Sequence, residues 1–350
     1  MAYQHTVHWV VDKHVDNLWK SPEIKEAAAK IAAGELVAFP TETVYGLGAS
    51  ARFDEAVKAI FQAKGRPADN PLIVHIAKTE DVNNYTNFVP DKAWKLIHSF
   101  WPGPLTIILR HNSTLSTSVT AGLDTVALRM PDHPVALALI AASGEPLAAP
   151  SANRSGRPSP TTAAHVAEDL DGRIAGILNG GATGVGLEST VIDCSAEEPV
   201  ILRPGGVTRR QIEEIIGPVA LDEALTEETT APRSPGMKYQ HYAPEAPLTL
   251  VDGDDSFFHM CITEHRKAGE RVGVIIQAAD VGLTKADVEY VLPGKTEEEI
   301  ARELYGALRT FKKTEVDHIF MRVLPAENIG FAIMNRLVKA AGGRIRSQHS

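Results

Sequence analysis

Cysteine is nearly absent, since 350 residues hold only Cys194 and Cys261, far apart in the chain and without a second pair. That excludes a disulfide framework and a cysteine-based metal or redox motif, and it fits a reducing, cytoplasmic setting. Long apolar runs are also missing. No stretch of ~18 apolar residues occurs, and the N-terminal M-A-Y-Q-H-T-V-H-W-V lacks the basic region and apolar core of a secretory signal, so no membrane contact is expected. Positive charge is in the minority, with 35 Lys and Arg against 44 Asp and Glu and a net charge of -9. There is thus no general cationic coat for nucleic acid; tight nucleic-acid binding is not expected and any cationic function must be local. Three common catalytic frames, G-x-x-x-x-G-K-S/T, strand-to-helix G-x-G-x-x-G and G-x-S-x-G, are absent. His5, His8 and His14 lie in an N-terminal segment read as peripheral surface, and no protein metal-ligand set is expected.

What is present is globular composition, 44% hydrophobic and 23% charged, in a chain long enough for two domains. Ser21 and Pro22 open a helix that Gly34 closes, and E-L-V-A-F-P follows as a short buried strand. D-E-A-V-K-A-I-F-Q-A-K reads as a helix stopped by Gly65, L-I-V-H-I-A as a strand, and D-K-A-W-K-L-I-H-S-F as a helix ended by W-P-G-P. L-T-I-I-L-R and T-V-A-L-R-M-P are strands, and Val135 to Ser143 is a small-residue helix. The alternation indicates an α/β fold with a mixed sheet. Beyond Q-I-E-E-I-I-G-P-V-A the segment from Glu223 to Ser234 loses apolar periodicity and reads as a solvated linker. The expected organisation is a first domain over 1–218, a linker over 219–247 and a smaller α/β domain over 248–350 with a mainly parallel, Rossmann-like sheet.

Several residues ask for chemistry. Lys64 and Arg66 flank Gly65 ahead of Pro67, with Asn70-Pro71 as a second turn. Cations at a helix end complement its dipole, yet a planar Arg fork beside a Lys point charge also suits a polyphosphate. His75, inside an apolar strand, is open to a core or a ligand role. Arg129 inside V-A-L-R-M-P cannot shed its charge, so it requires an anion, either a carboxylate of the protein or one of a substrate. P-L-A-A-P-S-A-N-R-S-G-R-P-S-P-T-T is too rich in Pro, Ser and Gly for regular structure and reads as a functional loop, with Ser151, Asn153 and Ser159 as phosphate or adenine ligands or as turn residues. Thr41 and Thr43 in P-T-E-T-V-Y-G-L-G carry the same two readings, and five glycines lie between Gly176 and Gly186.

Singly these signals are weak, but P-T-E-T-V-Y-G-L-G, K-G-R-P-x-x-N-P-L-I-V-H, W-P-G-P-L-T, V-A-L-R-x-P, A-P-S-A-N-x-S-G-x-P-S-P-T, G-x-E-S-T-V-I-D and I-L-R-P-G follow in one order from Pro40 to Gly206. This set resembles the YrdC/YwlC family of L-threonylcarbamoyl-AMP synthases, and S-P-G-M-K-Y-Q-H-Y-A-P with the tail behind it resembles the long, two-domain form. The resemblance implies an open twisted mixed sheet with a large concave, positively charged cavity. It implies synthesis of threonylcarbamoyl-AMP from L-threonine, bicarbonate and ATP with release of pyrophosphate, a nucleotidyltransferase reaction. A separate tRNA threonylcarbamoyl transferase would consume the adenylate.

The same resemblance assigns Thr43, His75, Arg129, Ala149 and Ser189 to L-threonine, with Arg129 on its carboxylate. Lys64 and Arg66 would serve catalysis at the triphosphate, and Asn70, Thr125, Ser151, Asn153, Ser159, Arg203 and Tyr239 would complete the ATP site. Mg2+ is expected on the phosphates with no protein ligand named. The linker, with Tyr239, His241 and Tyr242, is the candidate lid over a water-labile intermediate. Two other functions are weighed. A hydrogenase-maturation carbamoyltransferase using carbamoyl phosphate would carry zinc-finger cysteines ahead of P-T-E-T, where this chain has fewer than ~40 residues and no cysteine. An RNA-binding module conflicts with the net charge of -9.

Overall fold

The computed structural model of the chain describes residues 5–226, 241–282, 284–294 and 296–349. Tyr239 and most of S-P-G-M-K-Y-Q-H-Y-A-P lie outside the described residues. The described chain divides into two compact units, one of residues 5–155 with 159–226, the other of 156–158 with the residues from 241 onward. No helix among the described residues is long and apolar enough to cross a membrane.

The first unit is built on eleven described strands: β1 (Val7–Val10), β2 (Val37–Phe39), β3 (Gly46–Ser50), β4 (Ile73–His75), β5 (Leu105–Arg110), β6 (Thr125–Arg129), β7 (Leu147–Ala148), β8 (Gly176–Asn179), β9 (Thr190–Asp193), β10 (Val200–Arg203) and β11 (Ala220–Leu221). They lie in the order β1-β8-β2-β3-β7-β4-β6-β5-β9-β10-β11. β4 runs parallel to β6, β5 antiparallel to β6 and parallel to β9, so the sheet is mixed as the sequence pattern indicates. The helix Pro22–Ala32 starts where expected, with Ser21 Oγ accepting from Ile24 N at 3.2 Å. The helix Asp54–Lys64 ends on Gly65 at φ 61°, a left-handed conformation that a side chain would strain.

Period-two alternation sorts the central strands into two faces. Val74, Leu105, Ile107, Leu109, Val126, Leu128, Ile192 and Ile201 are buried in one apolar cluster. Each such side chain contributes roughly 1.5–3 kcal/mol of burial free energy, so this face has little freedom to change. The alternate positions, Ile73 and His75 on β4, Thr106 and Ile108 on β5, and Thr125, Ala127 and Arg129 on β6, therefore share the opposite face. Ile73, Ile108, Thr125, Ala127 and Val191 help to line a cavity of about 320 Å3 there.

Several strands lie where the sequence pattern indicates none: Leu147–Ala148 opens the segment expected to be an irregular loop, Gly176–Asn179 lies in the glycine-rich stretch, and Ala220–Leu221 lies in the expected linker. Val7–Val10 is an edge strand parallel to β8, in what was read as a peripheral segment. His8 on it remains half-exposed, while Trp9 is buried over Gly176, where an added Cβ would lie 2.0 Å from the indole. Gly46–Ser50 was not expected as a strand because its glycines disfavour one. The reason for them is Phe39 across the β2–β3 ladder: a Cβ on Gly48 would meet its ring at 2.7 Å. Glu223–Thr226, at the start of the expected linker, forms a short helix.

The second unit holds β12 (Leu248–Asp252), β13 (Val272–Gln277), β14 (Val288–Leu292), β15 (His318–Arg322) and β16 (Ile345–Ser347) in the order β14-β13-β15-β12-β16. Every pairing is parallel. Helices Asp255–Lys267, Glu297–Thr310 and Asn328–Ala340 alternate with the strands, and β13 is buried over Val272–Ile276 as a covered parallel strand should be.

Candidate active site

The motif loops of the first unit are tied together by backbone hydrogen bonds. Tyr45 N donates to Pro160 O at 2.8 Å, Leu47 N to Pro150 O at 2.8 Å and Ala152 N to Tyr45 O at 2.8 Å, which stitches P-T-E-T-V-Y-G to the serine-proline loop. Gly184 N and Val185 N donate to Glu42 O at 3.0 and 2.7 Å, and Tyr45 Oη donates to Gly181 O at 2.7 Å, which adds the glycine-rich loop. Burial pushes the Tyr45 phenol well above its usual range, so it stays a neutral donor. Thr41 Oγ1 lies 2.8 Å from Thr43 Oγ1, both buried. Ala149 N donates to Ile73 O at 2.9 Å, fixing its backbone beside β4.

The cations are held by oxygen rather than left in solvent. Lys64 is buried at the end of its helix, and its Nζ donates to Ser151 O at 2.5 Å and Asn153 O at 2.6 Å. Ser151 Oγ donates to Asn153 Oδ1 at 2.5 Å, and Ser155 N donates back to Lys64 O at 2.9 Å. Lys64, Ser151 and Asn153 are therefore one cluster, with Arg66 half-buried two residues on and Asn70 buried ahead of β4. Arg203, also buried, donates from Nη2 to Ser189 O at 2.9 Å and Ser189 Oγ at 3.1 Å. Ser189 Oγ in turn lies 2.7 Å from Thr106 Oγ1, and Ser159 Oγ donates to Glu188 Oε1 at 2.6 Å. Thr125 begins β6 on the cavity face.

His75 and Arg129 face each other in register across the parallel β4–β6 pair and point to the same face. Burial first, and the Arg129 charge second, depress the His75 imidazole to about 3, so it is neutral at physiological pH. Arg129 Nε donates to Gly103 O at 3.3 Å, and Arg129 Nη2 lies 2.7 Å from Glu42 Oε1. The anion beside Arg129 is thus the glutamate of P-T-E-T. Sequence reasoning missed Glu42, and it missed Thr106; the signal for both was their place inside quoted motifs. Asp132 and His133, just past β6, complete the neighbourhood. Burial and then the charge of Glu42 raise the Asp132 carboxyl, and burial is the main cause that lowers His133 to about 4.

Residues 29–205 match the Sua5/YciO/YrdC family model, described as telomere recombination, and residues 207–342 match that of the threonylcarbamoyl-AMP synthase C-terminal domain. The chain belongs to the threonylcarbamoyl-AMP synthase family. The threonylcarbamoyl-AMP synthase of Bacillus subtilis is 53% identical over 342 residues, 97% of this chain and 99% of that protein. The one from Pyrococcus abyssi is 49% identical over 332 residues, 93% of this chain and 95% of that protein. The crystal structure of P. abyssi Sua5 complexed with L-threonine is similar with a TM-score of 0.91 at 46% identity, covering 98% of this chain and 100% of that one.

In this member of the threonylcarbamoyl-AMP synthase family seven of the chosen residues of the first unit fall into three groups. Lys64, Ser151 and Asn153 form the loop cluster, Arg203 with Ser189 forms a second, and His75 with Arg129 forms the third. Tyr239 is the one candidate that lies outside the described residues.

Proposed function

We infer that the protein synthesises L-threonylcarbamoyl-AMP, the reaction named for its relatives, and that it does so from L-threonine, bicarbonate and ATP with release of pyrophosphate. The observation that carries this reading is the 53% identity to a threonylcarbamoyl-AMP synthase over 97% of the chain. A buried guanidinium on a sheet face, beside rows of hydroxyls and amides, adds the chemistry for a carboxylate and a nucleotide.

In the mechanism Arg129 holds the threonine carboxylate, with Thr43, the Ala149 backbone and Ser189 around the rest of the amino acid. His75, neutral, offers a hydrogen bond without competing for the anion. Arg66, with Lys64 beside it, faces the triphosphate, and Asn70, Thr125, Ser151, Asn153, Ser159 and Arg203 hold the nucleotide. The amine captures bicarbonate as a carbamate, a carbamate oxygen attacks the α-phosphorus, and pyrophosphate leaves. Because the carbamate is itself the nucleophile, positioning and charge neutralisation supply most of the rate. Mg2+ would enter with ATP as part of the substrate and offset the charge of the phosphates, and no residue of this chain is assigned to it.

The adenylate would pass to a tRNA threonylcarbamoyl transferase in the cytoplasm. The test is omission: purified protein should release pyrophosphate from ATP only when L-threonine and bicarbonate are both present. No release, or equal release with L-serine or without bicarbonate, contradicts the reading.

A further inference from the structure

Glu42 stands in the turn between β2 and β3, where its backbone is fixed by Gly184 and Val185 and its side chain is only 12% exposed. A carboxylate that serves as a structural counter-ion frequently meets an arginine with two aligned N–H···O bonds. Glu42 does not. It is in ionic contact with Arg129 at 2.7 Å, yet both of its oxygens and Arg129 Nη2 lack a hydrogen-bond partner among the described residues. Leaving such acceptors buried and unmet is costly unless water or a ligand meets them.

The surroundings define that ligand by charge. Arg129 brings one cation from β6, and Asp132 adds a second carboxyl just beyond it. His133 and, across the ladder, His75 are held neutral by burial, and Lys13 acts on His133 from the N-terminal segment. Two carboxyl groups, Glu42 and Asp132, thus share a neighbourhood with one guanidinium. A free carboxylate arriving at Arg129 would be repelled by both, whereas a zwitterion carries its own compensation.

We propose that Glu42 is the subsite for the substrate's α-ammonium group and accepts the proton that the amine sheds when it becomes a nucleophile. The Glu42–Arg129 contact occupies the place of the zwitterion; the amino acid replaces it, its carboxylate on Arg129 and its ammonium on the oxygens of Glu42. The step balances: R–NH3+, bicarbonate and the Glu42 carboxylate give R–NH–COO−, water and the protonated Glu42. The N–C bond forms from the amine lone pair, and a bicarbonate C–O bond breaks to leave as water. This inference rests on the synthase reading for the identity of the amine and the co-reactant.

The test uses the full chain and calorimetric titration with L-threonine and with 3-hydroxybutyrate, which keeps the carboxylate and the hydroxyl but has no amine. Wild-type protein should prefer L-threonine at least about tenfold. Glu42→Gln should weaken L-threonine by about ten- to a hundredfold, as loss of a charge-assisted contact does, without weakening 3-hydroxybutyrate. Glu42→Asp, which keeps the charge, should retain part of the preference, and melting curves of both variants check folding. At saturating L-threonine, pyrophosphate release by Glu42→Gln should rise with pH more steeply than in wild type, because the amine must then lose its proton to solvent.

A preference for L-threonine unchanged in Glu42→Gln, equal loss of both ligands, or no amino-acid binding by wild type overturns the proposal. Wild-type protein that binds L-threonine with the stated preference yet releases no pyrophosphate would refute the synthase reading and leave the ammonium subsite standing.

Discussion

Lys64→Met separates two roles of one lysine by the sign of a stability change. Methionine keeps the apolar stem and removes the ammonium, which in the folded protein donates to Ser151 O and Asn153 O at 2.5 and 2.6 Å while the residue is 4% exposed. Losing these charge-assisted bonds leaves buried carbonyls unmet, at about 1–3 kcal/mol each. Relief from burying the ammonium offsets part of that. The net expectation is a loss of about 2–3 kcal/mol, or roughly 4–12 °C in the melting transition of a unit of this size. Differential scanning calorimetry of the full chain reads it directly. The loop cluster around Ser151 should loosen as well, raising KM for ATP. Were Lys64 held in reserve for phosphate, its removal would leave stability unchanged or improve it, as substitutions at charge-strained sites do. A Lys64→Met protein as stable as wild type would refute the loop-anchoring argument.

Gly48→Ala places a methyl 2.7 Å from the buried Phe39 ring and should cost about 1–3 kcal/mol, read as a lower urea midpoint; an unchanged midpoint would show that the ring can retreat. His75 gives a pH signature. Its imidazole binds a proton only near 3 when folded but near 6.5 when unfolded, so between these values the unfolded state holds the extra proton and acid favours unfolding. Stability should therefore rise with pH by up to about 1.4 kcal/mol per pH unit from this residue. His75→Asn should remove that component from urea titrations between pH 4 and 6, and identical slopes would contradict it.

The elements with strong local signals were legible in the sequence. The helices Pro22–Ala32, Asp54–Lys64 and Asp91–Phe100 announce themselves by caps and periodicity, and the parallel sheet of the second unit by its alternation with helices. Strands whose reason lies elsewhere were not legible. Gly46–Ser50 is glycine-rich because of Phe39, and Val7–Val10 exists because β8 lies beside it. The same limit applies at the site. The apolar strand around Arg129 shows that it needs an anion, but only the fold reveals Glu42 on it, through a turn closed by the glycine-rich loop. Likewise K-G-R-P shows two cations at a helix end, while the carbonyls that hold Lys64 come from residues almost ninety positions later.

Product analysis with 13C-labelled bicarbonate tests the central claim most directly. After incubation with ATP and L-threonine, mass spectrometry should find an adenylate that contains threonine and the 13C carbon together. An unlabelled threonyl adenylate, or ADP in place of an adenylate, would contradict it.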